Sequence, residues 1–338
     1  MRYTADRLLS FVSRALSRLD IPEADAALVA GSLVDADAAG QSGHGLIRLP
    51  FLLSRLKSGH IATHPDVRLI HETPSVALLD GGNGLGPVVG SRAIKIAVDK
   101  ARATGAALCA VRRSNHLGAM GFYVERAARE GMITIGLSNT PPAMAPPGAH
   151  DPFLGTNPIA AAFPTKSTPV VVDLATSQVA RGRILKAARN GEPIPHGWAV
   201  DAGGRTTTDP VTALQGSLVP LGGAKGFALA LIVEALTGVL AGAAVGRAVG
   251  GTYMNTDQES NVGHTFIAID PSAASDGFPD RMHALAEAVR KLEPVDPTRP
   301  VRMPGDRRQT DSQRNRAEGI ELSNDLVAEL EEAAGINI

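Results

Sequence analysis

The sequence predicts an α/β fold, because segments with helical and strand periodicity alternate through its central part. Apolar residues at helical spacing, each run stopped by a glycine, predict helices over residues 92–104 and 118–130. Short apolar runs predict strands over residues 106–111 and 132–137. The alternation favours helices packed in layers on a sheet.

The N-terminal part is predicted to be helical. Apolar residues at helical spacing follow Thr4, a residue type that caps helix N-termini, and Pro22 opens a second stretch that ends at Gly40. A third helix is predicted over residues 46–56. No strand pattern interrupts this region.

The remaining elements complete the α/β pattern. A long proline-rich loop over residues 138–158 is a candidate functional loop, because compact domains seldom contain so long a connection. Residues 227–245 are predicted to form a buried helix, and the basic stretch before Asn324 a proline-rich loop. Further strands are predicted at 67–71, 75–79, 159–163, 169–173 and 265–270, and further helices at 178–189, 281–292 and from Asn324.

Composition excludes several classes of protein. The 338 residues are 44% apolar, enough for a sizeable core, and 33 basic against 34 acidic residues offer no attraction for nucleic acid. One cysteine excludes a disulfide framework and fits a cytoplasmic location. No apolar run is long enough to predict a membrane span, and the nine histidines show no spacing typical of a metal site.

A glycine motif, Gly84-x-Gly86-x-x-x-Gly90, follows a predicted strand and opens a helix, as dinucleotide-binding turns do. The match is weak, because the next strand ends in Arg112 and Arg113 rather than in an acidic residue. These arginines suit a 2′-phosphate. Glycines used only for a tight turn and close packing are the competing interpretation.

His44 and Arg48 lie four residues apart at the junction of two predicted helices. An imidazole suits proton transfer to a carbonyl that is reduced by hydride, and a guanidinium suits bidentate capture of a carboxylate. A capping histidine and a surface arginine explain the same residues.

Other segments also allow a functional and a structural interpretation. Residues 114–120 and 222–226 each lead into a helix start that can bind an anion, and residues 154–158 end the long loop. Caps and turns account for each of them equally well. Cys109 lies in an apolar strand and is expected to be an inert core residue. Four arginines form a basic cluster that is either solvated surface or a phosphate site: Arg307, Arg308, Arg314 and Arg316.

Taken together and in order, these segments resemble the malate/L-lactate dehydrogenase family, which includes sulfolactate, ureidoglycolate and diketogulonate dehydrogenases and cyclic-imine reductases. The resemblance covers nearly the whole chain. It is carried by GHGLIRLP (43–50), SNHLGAMGFYVERAA (114–128), GTNPIAAAFP (155–164), DLATSQVARGRI (173–184), GWAVDAGGRTTTDP (197–210), GGAKGFALALIVEALTGVLAG (222–242) and HTFIAIDP (264–271).

The resemblance implies a non-Rossmann NAD(P)-binding α/β sandwich of the sulfolactate-dehydrogenase type. It also implies a homodimer. Within this scheme we expect a helical N-terminal region (1–64) packed with a C-terminal helical segment (280–338) that carries a cofactor-contacting loop. Residues 65–279 are expected to form the central domain that binds cofactor and substrate.

The family resemblance also implies roles for individual residues. His44 is the proton donor, Arg48 and Thr156 hold the substrate carboxylate, and His116 is a further substrate-binding residue. The residues expected to contact NAD or NADP are His116, Leu117, Gly118, Ala119, Met120, Asp173, Leu174, Ala175, Lys225, Gly226, Pro304, Gly305 and Asp306.

The sequence departs from the family pattern at two positions near the expected proton relay. Gly43 stands where members usually carry a serine, and Asn190 stands where the imine reductases place an aspartate. Ser42 offers a hydroxyl one residue away. We assign Asn190 to the catalytic group on this alignment.

The sequence therefore predicts an enzyme that transfers a hydride between NAD(P) and a small 2-oxo or cyclic 2-imino carboxylate, without a metal. The alternative is a degenerate member that binds cofactor and carboxylate as a sensor without turnover. Gly43 and Asn190 motivate this alternative.

Overall fold

The computed structural model describes residues 1–251 and 258–338, and its chain begins with a short strand and three helices. The Thr4 hydroxyl caps the first helix by accepting a hydrogen bond from the Arg7 backbone N–H at 3.3 Å, as the sequence predicts. Between the second and third helices lie two short 3₁₀ turns. The elements are β1 (Arg2–Tyr3), α1 (Ala5–Ser17), α2 (Glu23–Ala38), the turns Ser42–His44 and Leu46–Arg48, and α3 (Leu49–Lys57).

The central part alternates strands and helices as predicted. Helix α4 begins at Gly86, six residues before the predicted start, because Pro87 is accommodated in its first turn. Helix α5 begins only at Gly121, since the preceding residues run irregularly from the end of β4. The elements are β2 (Arg68–Glu72), β3 (Val76–Asp80), α4 (Gly86–Thr104), β4 (Ala106–Ser114), α5 (Gly121–Arg129), β5 (Ile133–Ser138), β6 (Ile159–Phe163) and β7 (Val170–Leu174).

A smaller lobe follows, and it corrects one prediction. The apolar helix predicted over residues 227–245 runs as α8 (Ala224–Glu234) and continues only as a π-helical turn, Ala235–Val239. It is not buried all round, because Leu231 and Val239 are 56% and 65% exposed. The preceding elements of this lobe are α6 (Arg181–Asn190), β8 (Ala199–Val200), β9 (Thr206–Thr207), α7 (Pro210–Gln215) and β10 (Ser217–Leu218).

The C-terminal part returns to the sheet and then to the N-terminal helices. A helix occupies most of the stretch predicted to be a basic loop, because residues 306–318 contain neither glycine nor proline. The elements are β11 (Val262–Ile269), α9 (Phe278–Arg290), α10 (Asp306–Glu318), β12 (Ile320–Glu321) and α11 (Asn324–Ala334).

Seven strands form the main sheet in the order β2-β3-β4-β11-β5-β6-β7. Strand β11 comes last of these along the chain yet lies in the middle, where Thr265 is paired with Ala110 of β4 and with Leu137 of β5, both antiparallel. Among the strands that the structure describes in this sheet, only β3 and β4 run parallel to each other. A doubly wound Rossmann sheet is mostly parallel, so this mixed sheet confirms the predicted non-Rossmann fold.

The two chain ends share one hydrophobic core. Strand β1 pairs with β12, and Phe11 and Leu53 pack in the same cluster as Leu330. This cluster contains no residue of α9, so the C-terminal segment contributes α11 rather than all of its helices. Helix α11 packs against α3, and α10 packs against α2.

Candidate active site

His44 and His116 come from distant parts of the chain and lie face to face. Their rings are parallel within 6°, with centroids 5.5 Å apart. His44 ends the 3₁₀ turn after α2, whereas His116 follows β4. The His116 Nδ1 accepts a hydrogen bond from the Gly118 N–H at 3.1 Å, which leaves the ring proton on Nε2.

Arg48 lies beside this pair. Its Nε donates to the Gly43 carbonyl at 2.6 Å, and burial lowers the pKa of its guanidinium to about 10, so it stays positively charged at neutral pH. Arg48 and His116 line one cavity between the N-terminal helices and the start of α4. The structure therefore brings together three of the residues that the sequence nominates.

His44 is neutral in this arrangement. Its pKa is lowered to about 4, chiefly by burial and also by the positive charge of Arg48, while the Asp173 carboxylate acts in the opposite direction. Burial and the charge of Arg48 also hold the pKa of His116 well below its ordinary value. A neutral imidazole can accept a proton, which is the role that hydroxyl oxidation requires.

The relay position that Gly43 leaves vacant is not filled by Ser42. The Ser42 side chain is exposed, and the buried Nδ1 of His44 has no hydrogen-bond partner among the described residues. Asn190 is exposed at the end of α6 and donates to Glu192, so the structure does not bring it into contact with His44. The carboxylate whose charge His44 does experience belongs to Asp173.

Asp173 connects the two halves of the site. Its Oδ2 accepts hydrogen bonds from the Gly121 N–H at the start of α5 and from the Gln41 side chain, at 2.9 and 3.3 Å. Gln41 in turn accepts a hydrogen bond from Arg308 of α10 at 2.6 Å. One polar network thus joins the His44 turn, the sheet and the C-terminal helix.

The other predicted cofactor segments meet beside the end of β7. The Thr156 carbonyl accepts hydrogen bonds from both the backbone and the side chain of Thr176, which follows Leu174 and Ala175. A Cβ on Gly226 would lie 2.4 Å from the Leu221 backbone and 2.8 Å from the Thr176 carbonyl, so only glycine permits this close packing.

Lys225 is exposed in the first turn of α8, and Leu174 is also exposed. Gly222 and Gly223, just before α8, have φ of +60° and +69° and open space around them. A helix start of this kind, with free N–H groups and a lysine, fits the pyrophosphate of a dinucleotide.

Residues 117–120 are mostly core. The side chains of Leu117, Ala119 and Met120 are buried, and the Tyr123 hydroxyl donates to the Leu117 carbonyl. These three residues can therefore reach a cofactor only through their backbone. Gly118, with φ of +81°, is partly exposed.

The loop at Pro304 also holds the fold. Gly305 is seated on β7, where a Cβ on this residue would lie 2.9 Å from the Val171 carbonyl. Asp306 receives two hydrogen bonds from Arg290, at 2.6 and 3.0 Å, and a third from the Met303 N–H. The Asp306 carboxylate thus stabilises this turn through its own hydrogen bonds. Pro304 and Gly305 are the residues of the loop that remain accessible to a ligand.

The basic cluster is paired with acidic side chains of the same chain. Arg308 is paired with Asp35 and Glu125, and Arg316 is also paired with Asp35. Arg307 and Arg314 both pair with the same acidic neighbour on α10, Asp311. The four arginines therefore take part in ion pairs within and between helices, which favours the structural interpretation over a phosphate site.

The glycine motif has the packing role. A Cβ on Gly86 would lie 2.2 Å from the His116 carbonyl, and one on Gly90 would lie 2.4 Å from the Leu117 side chain. Arg112 and Arg113 both form ion pairs with Asp80, so the structure gives no support for their binding a 2′-phosphate.

Comparison with known proteins identifies the family of the chain. The profile of the malate/L-lactate dehydrogenase family matches residues 3–331. The chain belongs to the malate/L-lactate dehydrogenase family. It is 42% identical over 327 residues to the L-sulfolactate dehydrogenase of Methanothermobacter thermautotrophicus. The aligned residues cover 97% of this chain and 94% of that protein.

Two further proteins extend the comparison. The (2R)-3-sulfolactate dehydrogenase (NADP(+)) of Chromohalobacter salexigens is 41% identical over 317 residues, covering 94% of this chain and 93% of that one. The structure of sulfolactate dehydrogenase from Methanocaldococcus jannaschii superimposes with a TM-score of 0.92 at 37% identity, covering 100% of this chain and 98% of the other. This chain is thus a dehydrogenase, and no comparison supports the sensor alternative.

Sequence reasoning missed Asp37, a residue that shapes the candidate site. Asp37 is buried, and its Oδ2 accepts a hydrogen bond from the Leu46 N–H at 2.7 Å. Its carboxyl group occupies the space where a Cβ of Gly45 would lie, so Asp37 holds the chain directly after His44. Burial raises the pKa of Asp37 to about 7. Nothing in the sequence distinguishes Asp37 from the other polar residues of the predicted second helix.

Neither a metal cluster nor a membrane span is found in the described part of the chain. Within residues 1–251 and 258–338, no group of three His, Cys, Asp or Glu side chains is arranged to hold a metal ion. Across the same ranges, no helix has both the length and the apolar character needed to cross a bilayer.

Proposed function

We propose that this dehydrogenase transfers a hydride reversibly between NAD(P) and C2 of a small 2-hydroxy acid, giving the 2-oxo acid. The observation that carries the proposal is the stacked His44–His116 pair beside the Arg48 guanidinium. A proton-transfer group and a carboxylate-binding group are the two side-chain functions that this reaction requires.

The proposed proton path runs through His44. In oxidation, the neutral imidazole takes the hydroxyl proton while the hydride leaves C2, so that the C–O single bond becomes a carbonyl. In reduction, the imidazolium returns that proton to the carbonyl oxygen. A substrate carboxylate on Arg48 offsets the positive charge that lowers the His44 pKa, so substrate binding raises the pKa toward the range useful for reduction.

The proposed substrate contacts start from Arg48. Its planar guanidinium suits a bidentate pair with the C1 carboxylate. The Nε2–H of His116, fixed by the bond from Gly118, is available as a neutral donor to substrate oxygen. Thr156 is proposed as a further donor that fixes orientation, whereas Asn190 has no contact that supports a catalytic role.

The proposed cofactor site follows the end of β7 and the start of α8. Bound nicotinamide supplies the hydride acceptor or donor. The exposed start of α8 with Lys225 would hold the pyrophosphate, and the backbone of residues 116–120, Asp173–Ala175 and Pro304–Gly305 would line the remainder.

We further propose that the enzyme is a cytoplasmic homodimer. Leu231, Ile232, Val239 and Leu240 on α8 and its π-helical turn are all more than half exposed, which makes an apolar surface that a second copy would cover. Light scattering on the purified protein tests this: a dimer that becomes monomeric in Leu231→Glu supports it, and a monomeric wild type contradicts it.

The test of activity is absorbance at 340 nm with NADH and NADPH separately. The panel is oxaloacetate, 3-sulfopyruvate, pyruvate, phenylpyruvate, pyrroline-2-carboxylate and piperideine-2-carboxylate. We expect turnover of 2-oxo acids, a kcat lower by about 10²–10⁴ in His44→Ala with cofactor binding retained, and a higher KM in Arg48→Lys. Tight cofactor binding without oxidation by any 2-oxo acid would refute the proposal.

A further inference from the structure

Glu234 is a buried carboxylate at the end of α8, directly before the π-helical turn. It is 2% exposed, and no basic side chain of the described residues forms an ion pair with it. Residues 252–257, which lie outside the described part, contain no lysine, arginine or histidine. A buried carboxylate without a cation is costly, and an apolar side chain would pack there at lower cost. The groups that Glu234 binds therefore indicate its role.

The two oxygens of Glu234 accept hydrogen bonds from different parts of the chain. Its Oε1 receives the Gly246 backbone N–H at 2.8 Å and the Asn139 side-chain amide at 3.4 Å. Its Oε2 receives one bond from the described residues, from the Asn157 side-chain amide at 2.8 Å. The contact with Asn157 can therefore be altered while the other two bonds are kept.

Asn157 connects this carboxylate to the long loop at the site. Its Nδ2 also donates to the Ala230 carbonyl at 3.0 Å, and its Oδ1 accepts the Thr140 N–H at 3.2 Å. Its φ is +29°, a left-handed conformation that a residue other than glycine adopts only with support from its surroundings. Thr156, the residue proposed to orient the substrate, directly precedes it in the chain.

Thr140 and Thr156 face each other where the two ends of the loop meet. Their hydroxyl oxygens are 3.5 Å apart, and a Cβ on Gly155 would overlap with the Thr140 hydroxyl. Asn157 is bonded to Thr140 and follows Thr156, so a movement of its side chain displaces both hydroxyl groups. A displacement of about 1 Å in a group that orients a substrate can lower the rate about 10²-fold.

We propose that Glu234 is a positioning residue for hydride transfer, which holds the Asn157 side chain and thereby sets where the Thr156 hydroxyl meets the substrate. The proposal rests on the proposed function, from which it takes the substrate role of Thr156. Nine residues separate Glu234 from Lys225, which is about 14 Å of helix. The start of α8 thus serves the cofactor, and its end serves the substrate loop.

The test exchanges the hydrogen-bonding groups of the Glu234–Asn157 pair. In Glu234→Gln the remaining oxygen can keep the bonds from Gly246 and Asn139, but the new NH₂ group faces the NH₂ group of Asn157, donor against donor. The double variant combines Glu234→Gln with Asn157→Asp. It reverses the pair, so that the new glutamine donates and the new aspartate accepts, and the Thr140 N–H keeps its acceptor.

Thr237→Val is the matched control. Thr237 is fully buried in the π-helical turn that follows Glu234, and its hydroxyl donates to the Val233 carbonyl at 2.8 Å. The change removes a buried hydrogen bond close to Glu234 and leaves the bond to Asn157 intact. It therefore measures how a general loss of stability in this part of the fold affects activity.

The variants are assayed on the panel 2-oxo acid that the wild type reduces fastest. In Glu234→Gln we expect kcat/KM for that acid to fall about 10- to 100-fold, because a buried donor is left unpaired, and KM for NADH or NADPH to change less than about threefold. The double variant should recover part of the loss, since its defect is limited to the Ala230 carbonyl. Thr237→Val should stay within about threefold of wild type.

Three results would overturn the role of Glu234: a wild-type kcat/KM in Glu234→Gln, an equal loss in Thr237→Val, or no recovery in the double variant. Melting temperatures show whether each variant folds. If Glu234→Gln does not fold, the double variant decides alone: a loss of kcat/KM below about tenfold supports the pair, and a larger loss overturns it.

A measurement without substrate separates this proposal from the proposed function. The Thr156 methyl group is followed by ¹H–¹³C NMR in protein with labelled threonine methyl groups, and its signal is assigned by its loss in Thr156→Ser. We expect the signal to shift in Glu234→Gln and to return toward its wild-type position in the double variant. This pattern without reduction of any panel substrate supports the role of Glu234 and contradicts the proposed function alone. Reduction of a 2-oxo acid with an unshifted signal in Glu234→Gln overturns the role of Glu234 alone.

Discussion

The protonation state of His44 is the feature of the site that a titration can test most sharply. Burial and the charge of Arg48 together lower its pKa from 6.5 to about 4. At pH 7 the protonated fraction is then about 0.1%, against about a quarter for an ordinary histidine. In the free enzyme, His44 is thus prepared to accept a proton rather than to donate one.

Long-range ¹H–¹⁵N spectra of the histidine rings measure this directly. The His44 signals are assigned by their loss in His44→Gln, and the free enzyme is titrated from pH 5 to pH 8. We expect His44 to remain neutral throughout that interval. In Arg48→Gln the pKa moves upward, because a positive charge is removed, yet stays below 6.5, because burial is the larger cause. A His44 midpoint between pH 6 and 7 in the wild type would refute this description of its environment.

Three further predictions concern neighbouring residues. Because burial raises the Asp37 pKa from 3.8 to about 7, ionisation of Asp37 destabilises the fold as pH rises. The unfolding free energy of the wild type, relative to that of Asp37→Asn, should therefore fall by up to about 4 kcal/mol between pH 4 and 8. Unfolding free energies from urea titrations that change with pH in the same way for both proteins would contradict this. Gly86→Ala places a Cβ 2.2 Å from the His116 carbonyl and should destabilise by about 1–3 kcal/mol and lower kcat/KM, whereas the control Gly31→Ala meets side-chain atoms only at 3.9 Å; equal melting temperatures for the two variants would disprove the packing role of Gly86. Burial raises the pKa of the Cys109 thiol to about 12, so the native protein should not react with a thiol reagent over minutes, and rapid labelling of the folded protein would contradict a core position.

The fold was largely predictable because periodicity and glycine stops are local signals. Thr4, Pro22 and Gly105 mark helix ends in the sequence and in the structure alike. The position of β11 between β4 and β5 was not predictable from periodicity, since strand order depends on contacts distant along the chain. The exposed side of α8 was missed because the sequence of an apolar helix does not show which of its side chains are buried.

The site was predictable where residue chemistry is distinctive and where family motifs guided the choice. His44, Arg48 and His116 do meet, and Asp173 lies on the same network through Gln41. The environment of His44 was not predictable, because a pKa depends on burial and on charges from several elements.

The most direct test of hydride transfer to C2 follows the hydride itself. Wild-type enzyme is incubated with oxaloacetate and NADH or NADPH carrying deuterium at the transferred position of the nicotinamide ring, and the product is analysed by mass spectrometry and proton NMR. We predict one deuterium per molecule of 2-hydroxy acid, located at C2, and a rate lower by about 10²–10⁴ in His44→Ala. Product without deuterium at C2, or a wild-type rate in His44→Ala, would contradict the proposed reaction.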